Sequence, residues 1–382
     1  MSTIDYRCDY CNCDSVVHVY QPIGSERMAS VGICECCGLV QSTFNTSSYK
    51  KNIQLTSGAA WGNIRYGKIL ALKGHLPYID EYCRSVIQKK GNFLDIGSSR
   101  GAFVDYLCGI DQTVNITAIE PDPRILGEYI FKDNVDFHGE IFENCTNLGK
   151  FDFIYSSHTI EHVCSASSML SLMRDVLNND GMLLMACPNI DYIEDTVISE
   201  EFFLDKHKFH FSKILLQNML STNGFTVIAD HSSTAEIIFL CKGDQRKTII
   251  TAPEQAVLEK KRIQRYSELL KFNRQKFRKY AETISHMAKD KQIIIWGTGR
   301  IFDALINIGG LRTEDITILV DSILPKFQKD VHGIPVHFPD DLVGFSAENT
   351  YIIVCSKLYF DEIKRIAKQM KFTNIFSYSE LC

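Results

Sequence analysis

The stretch Asn92-Phe-Leu-Asp-Ile-Gly97-Ser-Ser-Arg-Gly101-Ala-Phe-Val-Asp-Tyr-Leu107 decides the fold. Phe93, Leu94 and Ile96 read as a buried strand, a glycine-bearing turn follows, and Ala102 to Leu107 continue as a helix. Glycines at the end of a first strand let the backbone approach a ligand. The helix that starts there offers free N–H groups to an anion. Working outward, the strand Asn115-Ile-Thr-Ala-Ile119 ends in Glu120-Pro-Asp-Pro, and a carboxylate at that tip can accept both hydroxyls of a ribose. Residues 92–241 go on alternating apolar strands with amphipathic helices, the pattern of an open α/β sheet.

Three motifs then carry a resemblance: Leu94-Asp95-Ile-Gly97-Ser-Ser-Arg-Gly101, Ile119-Glu120-Pro121, and Phe151-Asp-Phe-Ile-Tyr-Ser-Ser-His158-Thr-Ile-Glu161-His162. Together they resemble the class I S-adenosylmethionine-dependent methyltransferases, whose core is Rossmann-like. The resemblance implies that Asp95, Gly97 and Gly101 surround the methionine and ribose of the cofactor, with Glu120 on the ribose diol. It also implies that Glu140 and Ile141, after the third strand, lie by the adenine. Ser99 stands where the family usually has its middle glycine. The fourth strand ends in Ser-Ser-His158, without the Asn/Asp-Pro-Pro-Tyr/Phe of enzymes that methylate base amines, which argues against base N-methylation. His158 faces the same edge and is a candidate cofactor contact.

Beyond Cys187-Pro188-Asn189 comes Asp205-Lys-His207-Lys-Phe-His210-Phe-Ser212, and then a helix with Leu215, Leu216, Met219 and Leu220 on one face. Ser212 is the expected N-cap. His207 and His210 are therefore expected on a loop at the carboxyl edge of the sheet, where ligands bind. An imidazole there can take a proton near neutral pH. His207, His210 and Glu161 are the candidate catalytic residues. The plainer alternatives are a histidine that hydrogen-bonds its loop, and Glu161 with His162 opening and capping a helix.

Six of the 14 cysteines crowd into the first 37 residues. Cys8-x2-Cys11 and Cys34-x2-Cys37 have the spacing of two zinc knuckles, each placing two thiolates on one turn. Val16-Val-His-Val-Tyr20 alternates as a hairpin strand between them, and Gly38 suits the turn after the second pair. Four thiolates leave no open position, so this zinc is expected to be structural. Cys13 and Cys36 are spare thiols able to substitute. About 40 residues could hardly sustain a core without a metal. The remaining cysteines are scattered singly in or near apolar runs and read as small hydrophobes of a reducing compartment.

Pro253 opens a long helix running to about Lys289, with an apolar stripe at Ile263, Tyr266, Leu270, Phe277, Tyr280, Ile284 and Met287. The stripe is read as packing across a domain junction ahead of a dimer seam. Next, Gln292-Ile-Ile-Ile-Trp296-Gly-Thr-Gly299-Arg and Ile316-Thr-Ile-Leu-Val320-Asp321 mark a second α/β unit. Phe302 occupies the third glycine position of a dinucleotide fingerprint, which argues against NAD.

The order of a cysteine-rich lobe (residues 1–48), a methyltransferase core (49–245) and a linker helix with a terminal Rossmann-like lobe (246–382) resembles, over nearly the full length, the zinc-containing sugar C-methyltransferases. That resemblance implies a nucleotide-linked sugar as substrate, partly held by the terminal lobe. Lys206 stands where those enzymes carry an acid beside the histidine, and the Gly-Gly-Ser-Leu-Arg of their last core strand is replaced by Ala235-Glu-Ile-Ile-Phe-Leu240. These departures leave ring carbon and hydroxyl both open as acceptor, and the resemblance alone places carbon slightly ahead.

With 46 acidic and 41 basic side chains, the formal charge is −5. A chain that lives on phosphate backbones shows a basic excess, so nucleic acid is not expected as a partner. No secretory signal and no span of ~20 apolar residues is visible, which makes a cytoplasmic monomer or homodimer, away from the membrane, the expectation. The competing readings are a zinc-lobe RNA methyltransferase and a non-catalytic scaffold with this fold.

Overall fold

In the computed structural model the described residues are 7–22, 25, 28–44, 64–123, 125–196, 202–203, 207–326, 329–357 and 359–381, and every structural statement below refers to them. The chain divides into two compact units: Met1–Thr196 with Phe202–Tyr266, and Val197–Glu201 with Ser267–Cys382. The expected boundary at residue 48, like Asp205 and Lys206, lies outside the described residues.

The first unit is built on a seven-stranded sheet. Strands β4 (Asn92–Ile96), β5 (Asn115–Ile119), β6 (Val135–His138), β7 (Phe151–Ser157) and β8 (Leu177–Pro188) run parallel, and β10 (Phe225–Asp230) and β11 (Glu236–Gly243) complete the order β10-β11-β8-β7-β4-β5-β6. Only β11 runs against its neighbours. Strand order reverses between β4 and β7, which is where an open α/β sheet leaves a crevice for a ligand. This is the expected Rossmann-like class I core. Helices α1 (Ile64–Gln88), α2 (Ala102–Ile110), α3 (Ala166–Val176) and α4 (Lys213–Thr222) accompany the sheet. Ser165 caps α3, its Oγ accepting from the N–H of Ser168 at 3.0 Å. Ser212 holds the N-cap position of α4, although its Oγ accepts from Gln255 instead of from the helix.

The N-terminal residues form β1 (Val16–Tyr20), β2 (Ser30–Cys34) and β3 (Val40–Thr43), an antiparallel sheet that a fourth strand, β9 (Phe209–His210), joins beside β3. His210 therefore does not sit on an open loop as expected; it is a strand residue opposite Val40. The N-terminal lobe also shares its core with the large sheet. Cys8, Tyr10, Val16, Cys34, Cys37 and Leu39 belong to the same buried cluster as Leu94, Ile154, Leu183 and Phe209.

Helix α5 (Pro253–Met287) begins at Pro253, with Glu254 in its first turn and His286 in its last, both favourable to the helix dipole. Ile263, Tyr266, Leu270, Phe277, Tyr280 and Ile284 are buried. The second unit carries β12 (Gln292–Trp296), β13 (Ile318–Val320), β14 (Asp330–Val331), β15 (Ile334–His337), β16 (Thr350–Val354) and β17 (Ile375–Ser377) in the order β14-β15-β13-β12-β16-β17. All but the β14–β15 pair are parallel. Helices α6 (Arg300–Asn307) and α7 (Phe360–Gln369) complete it. No helix is long and apolar enough to cross a membrane.

Candidate active site and cysteine cluster

The turn after β4 is shaped by its glycines. Gly97 and Gly101 have φ of +75° and +78°, which L side chains rarely adopt. A Cβ on Gly97 would fall 2.2 Å from Thr159 Oγ1, and one on Gly101 would fall 2.2 Å from the Tyr129 ring. Ser99 takes the same left-handed region at φ +52°, so the missing middle glycine costs strain but not the shape of the turn. Its N–H donates to Glu120 Oε2 at 2.9 Å, and the N–H of Asp122 donates to Oε1 at 2.9 Å. Each carboxylate oxygen keeps lone-pair capacity for one further donor. Tyr129, whose Oη donates to the Ser99 carbonyl, closes the turn from below. Burial raises Glu120 above the usual carboxylate range. Burial likewise pushes Asp95 up to about 7, opposed by the charge of Lys68.

Lys68, on α1, donates to the carbonyls of Ser157 and, at 3.3 Å, Gly97. Burial lowers its pKa, against the pull of four carboxylates led by Asp95. Two backbone carbonyls aimed at one ammonium mark a cation seat beside the glycine turn. Nothing local in the sequence singles out Lys68, because the link to Gly97 is made only by the fold.

A second group of titratable side chains begins one residue from Thr159, the side chain packed on Gly97. His158 Nε2 is 3.1 Å from Glu236 Oε2, and His158 Nδ1 is 3.5 Å from Glu161 Oε1. Burial works against the charge on His158, but both carboxylates outweigh it and lift the imidazole to about 9. The ring is therefore protonated at neutral pH and unsuited to accept a proton. Glu236 also reaches His75 Nε2 at 3.4 Å, and His75 Nδ1 is 2.9 Å from the Tyr155 hydroxyl. Despite burial, His158 and His75 hold Glu236 down at about 2. Glu161 is buried, and it stays ionised because His162 and His158 outweigh its desolvation.

His207 joins this group. Its ring stands 4.7 Å from that of His162, and Glu161, His162 and His207 bring their ligating atoms within 4.8 Å of one another. Glu161 and His162 lie in a single 3-10 turn, Ile160–His162, rather than at the start of the α-helix expected there. His210 is separate in kind. Its Nε2 lies 2.9 Å from Ser42 Oγ, its ring packs on Phe203, and burial pushes it down to about 3. Glu140 is exposed and Ile141 half-buried after β6, at the sheet end that carries Glu120. Glu236 and His75 were not visible as candidates. The one available signal was an acid heading the apolar strand Glu236-Ile-Ile-Phe-Leu240.

The sulfurs of Cys8, Cys11, Cys34 and Cys37 lie within 4.8 Å of one another, with Cys8 to Cys37 at 3.5 Å and Cys11 to Cys34 at 3.4 Å. A tetrahedron of sulfurs about 2.3 Å from a zinc ion has edges of about 3.8 Å, so the donor set fits. Cys13 and Cys36 are joined to each other as a disulfide.

In the second unit, Asp321 Oδ2 accepts from the N–H and Oγ1 of Thr298, and Oδ1 accepts from the N–H groups of Ile323 and Leu324. Four internal donors occupy the carboxylate that a dinucleotide reading would place on a ribose.

Residues 76–230 match the family model described as a methyltransferase domain. Among solved structures, an S-adenosylmethionine-dependent methyltransferase from Clostridium acetobutylicum ATCC 824 is 12% identical, over 47% of this chain and 99% of that chain, with a TM-score of 0.38. A putative S-adenosylmethionine-dependent methyltransferase from Listeria monocytogenes is 11% identical over 41% and 92%, with a TM-score of 0.34. No curated protein matches. Residues 76–230 thus carry the chain's likeness to a methyltransferase domain.

Proposed function

We propose that the chain methylates a nucleotide-linked sugar, at carbon ahead of oxygen, with the donor seated over Gly97–Gly101 and Glu120 on its ribose. Bound donor supplies an activated methyl group. The protein must align the acceptor in line with it and remove one proton. The observation that carries this reading is the Glu161–His162–His207 group, which starts beside the turn that the glycines shape and gives the acceptor's proton a place to be removed. His158, held as a cation between Glu161 and Glu236, places a positive charge at the same edge as negative charge developing on an acceptor oxygen. The sugar itself rests on the resemblance in lobe order and on the Trp296-Gly-Thr-Gly299 turn of the second unit.

The four-cysteine cluster is proposed to hold a structural zinc, because thiolate donors in a closed tetrahedron leave no position for substrate. Incubating the purified chain with labelled S-adenosylmethionine and a panel of nucleotide-linked keto-sugars, followed by mass spectrometry, tests the function. A product heavier by one methyl group on a sugar ring is expected. Turnover on RNA but on no sugar of the panel would overturn the acceptor class.

A further inference from the structure

We propose that Glu161, His162 and His207 form a second metal site, for a divalent transition ion such as Mn2+, Fe2+ or Co2+, separate from the cysteine cluster. The inference rests on the reading that the acceptor is methylated at this edge.

Three observations carry it. The Glu161 side chain is buried, and its oxygens are met only by the long ion-pair contacts of two imidazoles. The nearest imidazole nitrogens, His158 Nδ1 at 3.5 Å and His162 Nε2 at 3.7 Å, stand beyond the 2.7–3.2 Å of good N–H···O geometry. A buried carboxylate in that state is suited to a cation.

His207 Nδ1 lies 3.3 Å from the Phe202 carbonyl. A carbonyl only accepts, so Nδ1 carries the proton and Nε2 keeps the lone pair. Metal-bound histidines are generally oriented in this way, by a backbone carbonyl on the opposite nitrogen.

The set is also preorganised. Glu161 and His162 share one 3-10 turn, and the Glu161 carbonyl accepts from the N–H of Lys208 at 2.7 Å, which ties that turn to the segment bearing His207. All three ligating atoms lie within 4.8 Å of one another, near the spacing of ligands about 2.0–2.2 Å from one ion. Two histidines and one carboxylate leave coordination positions open, unlike four thiolates. With an ion bound, His207 would serve as a ligand and no longer as the proton acceptor, and the open positions would be left to the acceptor oxygen.

The test is titration of the purified full chain, zinc retained, with Mn2+ and Co2+ by calorimetry and visible spectroscopy. One equivalent of ion is expected, with cobalt d–d bands and no sulfur-to-cobalt charge transfer. Glu161→Gln and His162→Ala should each weaken binding at least roughly 100-fold. S-adenosylhomocysteine binding, measured on the same samples, reports folding. Wild-type protein that binds S-adenosylhomocysteine but no ion overturns the metal site and leaves the methyltransferase standing. So does ion binding of equal affinity in both variants. Ion binding without S-adenosylhomocysteine binding would instead overturn the proposed donor seat.

Discussion

Nε2 of His210 and Oγ of Ser42 lie 2.9 Å apart, although 168 residues separate them in the chain. The bond joins the N-terminal sheet to the methyltransferase core at the strand pair β3–β9, and it holds a neutral imidazole in a dry place. Phe203 and Phe202 pack on the ring, while the charges of Glu161 and His162 act on it with opposite signs.

This arrangement makes stability depend on pH. His210 titrates near 3 when folded, against about 6.5 when unfolded, so between those values the unfolded chain binds the extra proton. Its contribution is complete above pH 6.5 and is lost as pH falls toward 3. Between pH 7.5 and 5.5 the loss is about 1.4 kcal/mol. Denaturant unfolding at those two pH values should show a smaller fall for His210→Gln than for the wild type, by about that amount. Equal falls in both proteins would place the acid sensitivity elsewhere.

Metal analysis should return one zinc bound by Cys8, Cys11, Cys34 and Cys37. Zinc retained by the Cys34→Ser, Cys37→Ser double variant would contradict this assignment. Because Cys8, Cys34 and Cys37 lie in the same buried cluster as Leu94 and Phe209, removal of the ion should lower the melting temperature of the methyltransferase core as well as unfold the N-terminal strands.

Replacing Glu120 with Ala removes a charged acceptor for two ribose hydroxyls and releases the N–H groups of Ser99 and Asp122. An affinity loss of order 2–3 kcal/mol, roughly 30- to 150-fold for S-adenosylhomocysteine, is expected by calorimetry. Gly101→Ala should abolish binding outright, since its Cβ would meet the Tyr129 ring at 2.2 Å in a left-handed backbone. Unchanged affinity in either variant would move the donor seat away from this turn.

His207→Ala should slow methyl transfer by about 10² to 10⁴ while leaving S-adenosylhomocysteine affinity within twofold, because the imidazole serves the acceptor side. Normal turnover in that variant would remove His207 from the reaction. A joint loss of turnover and cofactor affinity would assign it to holding the loop.

Within the chain, local pattern alone determined β1, β4 and β5, whose spans Val16–Tyr20, Asn92–Ile96 and Asn115–Ile119 follow from apolar runs bounded by turn residues. It also determined the two cysteine knuckles, the start of α5 at Pro253, and the glycine turn, since these features are set by backbone period, ligand bite and φ. The tertiary structure decided the rest. A two-residue strand such as β9 has no period to read, so the pairing that takes His210 out of the loop and sets it against Ser42 was invisible. The histidine–carboxylate group draws His75, the neighbouring pair His158 and Glu161, His207 and Glu236 from four segments that meet only through the fold. Asp321, which reads locally as a ribose ligand, is taken up by two donors of its own turn, Ile323 and Leu324, and by two from Thr298 after β12. A residue's chemistry is written in its type, but its partners depend on long-range packing, and those partners set its charge and its role.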